Sequence, residues 1–191
     1  SNLKFIHISN FNNQWAIETD YHLHSSYTDG HDPVNDMVKE CKNLDLKNIA
    51  FSEHSRKTSK GWFRSFKDNV KKSGKFFEID VKVGTEVKIQ DISGNLDLNK
   101  EIFSLSEFIM CSVHSLPKVF KNEFWSSKDL SHNFYNQVCD YEISLISNAV
   151  RKNKNIKKPL IVGHPFGTSI QKFNSFPNED HWKQLAIICQ Y

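Results

Sequence analysis

Apolar positions along the chain switch repeatedly between a period of two and a period near 3.6, and the switching predicts successive β-α units. Residues 17–24 read as a first strand. Asp32 then stands as a helix N-cap with Pro33 at the first helical position, and Val34, Met37, Val38, Cys41 and Leu44 fall on one face. Residues 47–52 form a second strand that ends in Ser52-Glu53-His54. Phe63, Phe66 and Val70 keep helical spacing until Gly74, where the pattern predicts a stop. Residues 80–89 make a third strand carrying Glu86. A polar loop and a short helix lead to residues 108–114, a continuous apolar run of buried-strand type. After an insertion with Phe120, Phe124 and Trp125, residues 133–154 predict an amphipathic helix, with Phe134, Val138, Tyr141, Leu145 and Ala149 on one stripe. Residues 159–162 open a fifth strand that ends in Gly163-His164-Pro165. Asn178-Glu179-Asp180 reads as the start of a helix carrying Trp182 and Leu185, and residues 186–191 as a sixth, closing strand.

Strands alternating with helices predict an α/β fold with parallel strands, wound into a barrel or a sheet. Residues 1–17 form an aromatic and Asn-rich lead-in, which leaves 18–191 as one domain. In such folds chemistry gathers at the C-terminal ends of the strands. His22, His24, His54, His114 and His164 all stand there, and Glu86 lies slightly inside its strand.

Composition narrows the picture. With 38% hydrophobic and 25% charged residues the chain has the make-up of an ordinary globular domain. The net charge of +3 comes largely from lysines such as those in 152–158, which read as a solvated helix end and not as a nucleic-acid footprint. No run is long and apolar enough to span a membrane, and no signal-like start is present, so a cytoplasmic location is the expectation. Cys41, Cys111, Cys139 and Cys189 are widely spaced and read as reduced core thiols. Histidine is the outlier, with nine residues.

Five histidines and the carboxylates of Asp29 and Glu86, delivered by successive strands, point to metal binding. Imidazole with carboxylate suits zinc, manganese or iron, and the lack of nearby cysteines argues against a structural thiolate site. Seven ligands exceed what one tetrahedral ion takes, so two or three divalent ions bridged by a carboxylate such as Glu86 are expected. Such a cluster lowers the pKa of a shared water to give a hydroxide nucleophile and clamps phosphoryl oxygens, which is phosphoester hydrolysis. Ser25, Ser52, Ser55, Ser112 and Ser115 adjoin these positions as hydrogen-bonding supports. Arg56 and Arg64 are candidate binders of a substrate phosphate.

The ordered motifs Asp20-Tyr21-His22-Leu23-His24-Ser25 with Thr28-Asp29-Gly30, Ser52-Glu53-His54, Gly84-Thr85-Glu86-Val87, Gly94-Asn95-Leu96-Asp97 with Ser112-Val113-His114-Ser115, and Gly163-His164-Pro165 resemble those of the PHP (polymerase and histidinol phosphatase) domain. The likeness is greatest to the small stand-alone phosphatases of that family and to the PHP domains of family X DNA polymerases. The resemblance implies a distorted (β/α)7-type barrel with a trinuclear metal site. Carried over by motif, it implies His22, His24 and Glu86 on a first ion, Glu86, His114 and His164 on a second, and Asp29 and His54 on a third, with His31 an alternative to Asp29. The family's last motif, an Asp-x-His, has no match; Asp180-His181 lacks the spacing. The expectation is therefore a barrel incomplete at its C-terminal end, with the third ion short of ligands. The function implied is hydrolysis of a small phosphate monoester such as histidinol phosphate, with Glu86, His114 and His164 at the centre of catalysis. The alternatives are a polymerase-type DNA-end nuclease, weighed against by the mild charge, and a metal-binding scaffold without turnover.

Overall fold

The structure, a computed structural model, describes residues 18–116 and 132–190, with the side chains of 132–136 left aside. The lead-in to residue 17 and the insertion with Phe120, Phe124 and Trp125 lie outside the described residues, as does the side chain of Phe134. Five strands form one sheet: β1 (Thr19–Leu23), β2 (Asn48–Ser55), β3 (Asp80–Lys88), β4 (Phe108–Ser112) and β5 (Leu160–Val162). They lie in sequence order and every pair is parallel. Helices α1 (Val34–Asn43), α2 (Phe63–Phe77), α3 (Lys100–Leu105), α4 (His132–Asn153), α5 (Gly167–Phe173) and α6 (Glu179–Ile188) alternate with them.

The sheet is strongly curled. A flat sheet would hold the outer strands β1 and β5 about 19 Å apart, four spacings of about 4.8 Å. Yet Tyr21 of β1 and Ile161 of β5 pack against one cluster with Ala50, Phe108 and Met110. The strands thus form half of a barrel, with small and apolar side chains inside. Outside, α1 and α2 cover Ile49, Phe51, Val81 and Val83, while α4 covers Val87, Ile109, Cys111 and Leu160. The stripe expected on α4 is borne out, since Val138, Leu145 and Ala149 are all fully buried.

Several local expectations need correction. Gly74 does not end α2, which runs on to Phe77 and is capped by Glu78 in the left-handed region at φ 55°. The glycine serves close approach, because a Cβ there would fall 2.8 Å from Val81 Cγ2. Asp32 does not cap α1. Pro33 occupies the N-cap and makes no side-chain cap hydrogen bond, and Leu44 at the other end is exposed. The sixth strand expected over residues 186–191 is not found among the described residues: α6 continues through Ile188, its start set by a capping box in which Asn178 and His181 satisfy each other's backbone N–H groups. Its short apolar run is the last helical turn, with Ile188 buried and Ile187 exposed.

Candidate metal centre

Glu86 is the point on which the site converges. It sits on the inner face of β3, opposite His54 of β2 in the parallel register, and its side chain is fully buried. Its Oε2 lies 3.2 Å from His22 Nε2, 3.3 Å from His24 Nε2 and 3.2 Å from His54 Nδ1. Its Oε1 lies 3.1 Å from His114 Nε2 and 2.9 Å from His164 Nε2. Burial works to raise the Glu86 carboxyl, and the hydrogen bonds from His114, His164, His22 and His24 overcome it, holding the group far below the usual carboxylate range.

The curl of the sheet makes this possible. His22 comes from one edge of the described sheet and His164 from just beyond the other, yet their rings stack with centroids 5.5 Å apart. The β1 register shifts between Asp20 and Leu23, and a bulge of this kind re-aims the side chains around it. Both His22 and His24 therefore reach Oε2, although β1 ends at Leu23 and does not extend through His24.

The chain then turns back under the site. Gly30 packs so tightly on this turn that a Cβ would sit 2.0 Å from the His24 carbonyl oxygen. Glu53, fully buried on β2, anchors the turn by accepting from Ser25 N at 2.7 Å and from the hydroxyls of Ser25 and Thr28. That anchor is a functional role sequence reading missed; the signal was available, since a carboxylate inside an apolar strand needs donors. Asp29, brought in by the same turn, places Oδ2 3.2 Å from His54 Nε2 and Oδ1 3.8 Å from His24 Nδ1. His31 is exposed and outside the groups able to share an ion.

Two such groups stand out among the described residues, His22 with Glu86 and His164, and His24 with His54 and Glu86. Proximity sets His22 beside His164 and His24 beside His54, where the resemblance implies His22 with His24 and His114 with His164, and His114 meets Glu86 Oε1. The donor set fits divalent metal. An ion with bonds of about 2.1 Å spaces its donors by about 3.0 to 3.4 Å in octahedral or tetrahedral geometry, and the nitrogen-to-oxygen distances here fall in or next to that range. The buried Nδ1 of His24 also lacks a hydrogen-bond partner among the described residues. His24 is pushed down by burial but raised overall by its bond to Glu86, His164 is raised by the same carboxylate, and burial lowers His54.

A cavity of about 800 Å³ opens over the cluster, lined by Asp29, His54, Arg56, Lys88, Asp97 and Ser115 among others. Arg56 lies two residues beyond His54, just past the end of β2, and Lys88 two beyond Glu86, at the end of β3. Lys88 Nζ donates to Ser115 Oγ at 2.5 Å; its place in the cavity went unnoticed in the sequence. Asn99, the side-chain cap of α3, donates to the carbonyls of Lys57 and Ser59 and so fixes the loop that carries Arg56. Arg64 is exposed on the first turn of α2 and is not part of the lining. The expected serine supports divide. Ser25, Ser55 and Ser115 are hydrogen-bonded, whereas the buried hydroxyls of Ser52 and Ser112 have no partner among the described residues.

Comparison with known proteins agrees with this fold. The PHP domain family model matches residues 20–186. No curated protein sequence matches the chain. Among solved structures the chain is similar to the histidinol phosphate phosphatase of Lactococcus lactis subsp. lactis Il1403, solved in complex with zinc, L-histidinol and phosphate. Identity is 19% and the TM-score 0.58; the match covers 90% of this chain and 66% of that one, so the chain spans just under two thirds of that protein's length.

Proposed function

The chain belongs to the PHP domain family, and from that premise we propose that it is a metal-dependent phosphoesterase acting on a small phosphate monoester. The observation that carries the reading is the single buried carboxylate of Glu86 with five imidazoles at 2.9 to 3.3 Å. No packing or pairing role calls for five titratable rings around one carboxylate, whereas an imidazole and carboxylate donor set of this kind suits two or three ions of zinc, manganese or iron. His22, Glu86 and His164 would hold one ion, and His24, His54 and Glu86 another, with Asp29 beside the second group and His114 on the Oε1 side. Ions bound there supply Lewis acidity to a phosphoryl oxygen and bring the pKa of water towards neutrality.

The chain's own residues do the rest. Glu86 joins the two groups and stays ionised. Arg56 and Lys88 line the cavity above it and offer donors to the oxygens of an incoming phosphate, the guanidinium in a fork suited to two of them at once. Ser115 orients Lys88, and Glu53 keeps the turn bearing His24 and Asp29 in place. The cavity exceeds a phosphate in size and leaves room for the alcohol of a small metabolite. The L. lactis protein, with L-histidinol and phosphate bound, supports a substrate of that kind.

A phosphatase screen with zinc, manganese or iron(II) added tests this. Histidinol phosphate, other phosphorylated metabolites and a 3′-phosphorylated oligonucleotide are each offered to the protein. Release of phosphate from the small esters, abolished by chelator, is expected. Turnover confined to the oligonucleotide would favour a DNA-end enzyme, and metal uptake with no turnover of any substrate would leave a binding scaffold.

A further inference from the structure

Glu142 lies on α4, outside the set of side chains that meet Glu86, and is 1% exposed. Its Oε2 accepts from Ser169 N at 2.8 Å and Ser169 Oγ at 2.5 Å, in the first turn of α5. Its Oε1 is buried without a hydrogen-bond partner among the described residues, and burial pushes the carboxyl up. A carboxylate kept under those conditions is costly, and what it holds explains the expense. The turn that Glu142 caps follows directly on His164 and Phe166, both non-glycine residues in the left-handed region at φ 26° and 63°. A backbone of that kind persists only when its surroundings over-determine it. Here the Phe166 ring is fully buried against Cys139, Ile143 and Ile188, and Glu142 fixes the chain on the other side.

The same short helix reaches back to the second histidine. The Thr168 hydroxyl donates to the carbonyl of Val113, and Lys172 Nζ donates to the carbonyl of His114 at 2.6 Å. Thus α5 is tied at once to the peptides carrying His114 and His164, the two imidazoles on Glu86 Oε1. We propose that Glu142 is a positioning residue that, by capping α5, sets His114 and His164 against Glu86 for metal binding. The inference rests on the metal-site reading above.

The test measures metal affinity by competition with a chromophoric chelator and records the visible spectrum of the cobalt-substituted protein, with circular dichroism as the check on folding. Glu142→Ala is expected to lower the affinity of one metal equivalent by about 10- to 100-fold, the range for outer-shell changes, and to alter the cobalt bands. Glu142→Gln keeps an oxygen that accepts both Ser169 bonds, and should restore affinity to within about threefold of the original. Should Glu142→Ala fail to fold, Ser169→Ala and Thr168→Val cut single ties and are expected to weaken the same equivalent several-fold with dichroism unchanged. A folded Glu142→Ala protein with the original affinity and spectrum overturns the proposal, even if its melting temperature falls, and unchanged affinity in both milder variants does the same. Failure of the unaltered protein to bind any transition metal would instead sink the metal reading, and this inference with it.

Discussion

Replacing Glu86 by Gln separates a shared carboxylate from a merely adjacent one. The substitution keeps shape but leaves one oxygen where there were two, and its amide NH2 must face either three imidazole nitrogens or two. Four-ligand zinc sites bind with about 10 to 16 kcal/mol, or about 2.5 to 4 kcal/mol per ligand. At about 1.4 kcal/mol per tenfold, loss of one ligand costs about 10²- to 10³-fold in affinity. Glu86 belongs to both groups of possible ligands, whereas His22 belongs to one. Glu86→Gln should therefore weaken every bound ion, and His22→Ala mainly one of them. Elemental analysis after dialysis against buffered free metal gives the stoichiometry, and chelator competition gives the affinities. Retention of one equivalent at native affinity in Glu86→Gln would refute the sharing of this carboxylate.

Three further outcomes follow from the geometry. In the metal-free protein the raised His24 and His164 contribute stability that is complete below pH 6.5 and lost as pH rises through their folded values, with the lowered His54 opposing them; metal binding needs neutral imidazoles, so the loaded protein should gain stability over that interval, and thermal melts from pH 6 to 8 with and without chelator should slope in opposite directions. Arg56→Ala should raise KM for a phosphate ester, while Arg64→Ala, off the cavity lining, should leave KM within about twofold, as steady-state kinetics will show. Gly84→Ala drives a Cβ to 2.3 Å from Phe108 Cζ inside the barrel and should destabilise the fold by about 1 to 3 kcal/mol, read from the denaturant midpoint.

The sequence by itself determined the order of strands and helices and the residues offered to a metal, because both are local signals: an apolar period, and a histidine where a buried run stops. It also marked Asn178 as a helix start, since a cap is read within one turn. It misjudged residues 186–191 because a short apolar run has no period of its own, and the capping box upstream decides the matter. Gly74 misled for a related reason: whether a glycine ends a helix or lets it approach a strand depends on Val81, which is remote in the pattern of periods. Which histidines gather beside one another around Glu86, and that Arg56 and not Arg64 lines the cavity, were decided only by the tertiary structure, whose curled sheet brings His22 and His164 from opposite edges into ring contact. The Glu53 anchor and the Glu142 cap belong to that level as well, because each joins segments more than 20 residues apart, and a carboxylate's partner across such a distance is set by tertiary packing and by no local preference of the chain.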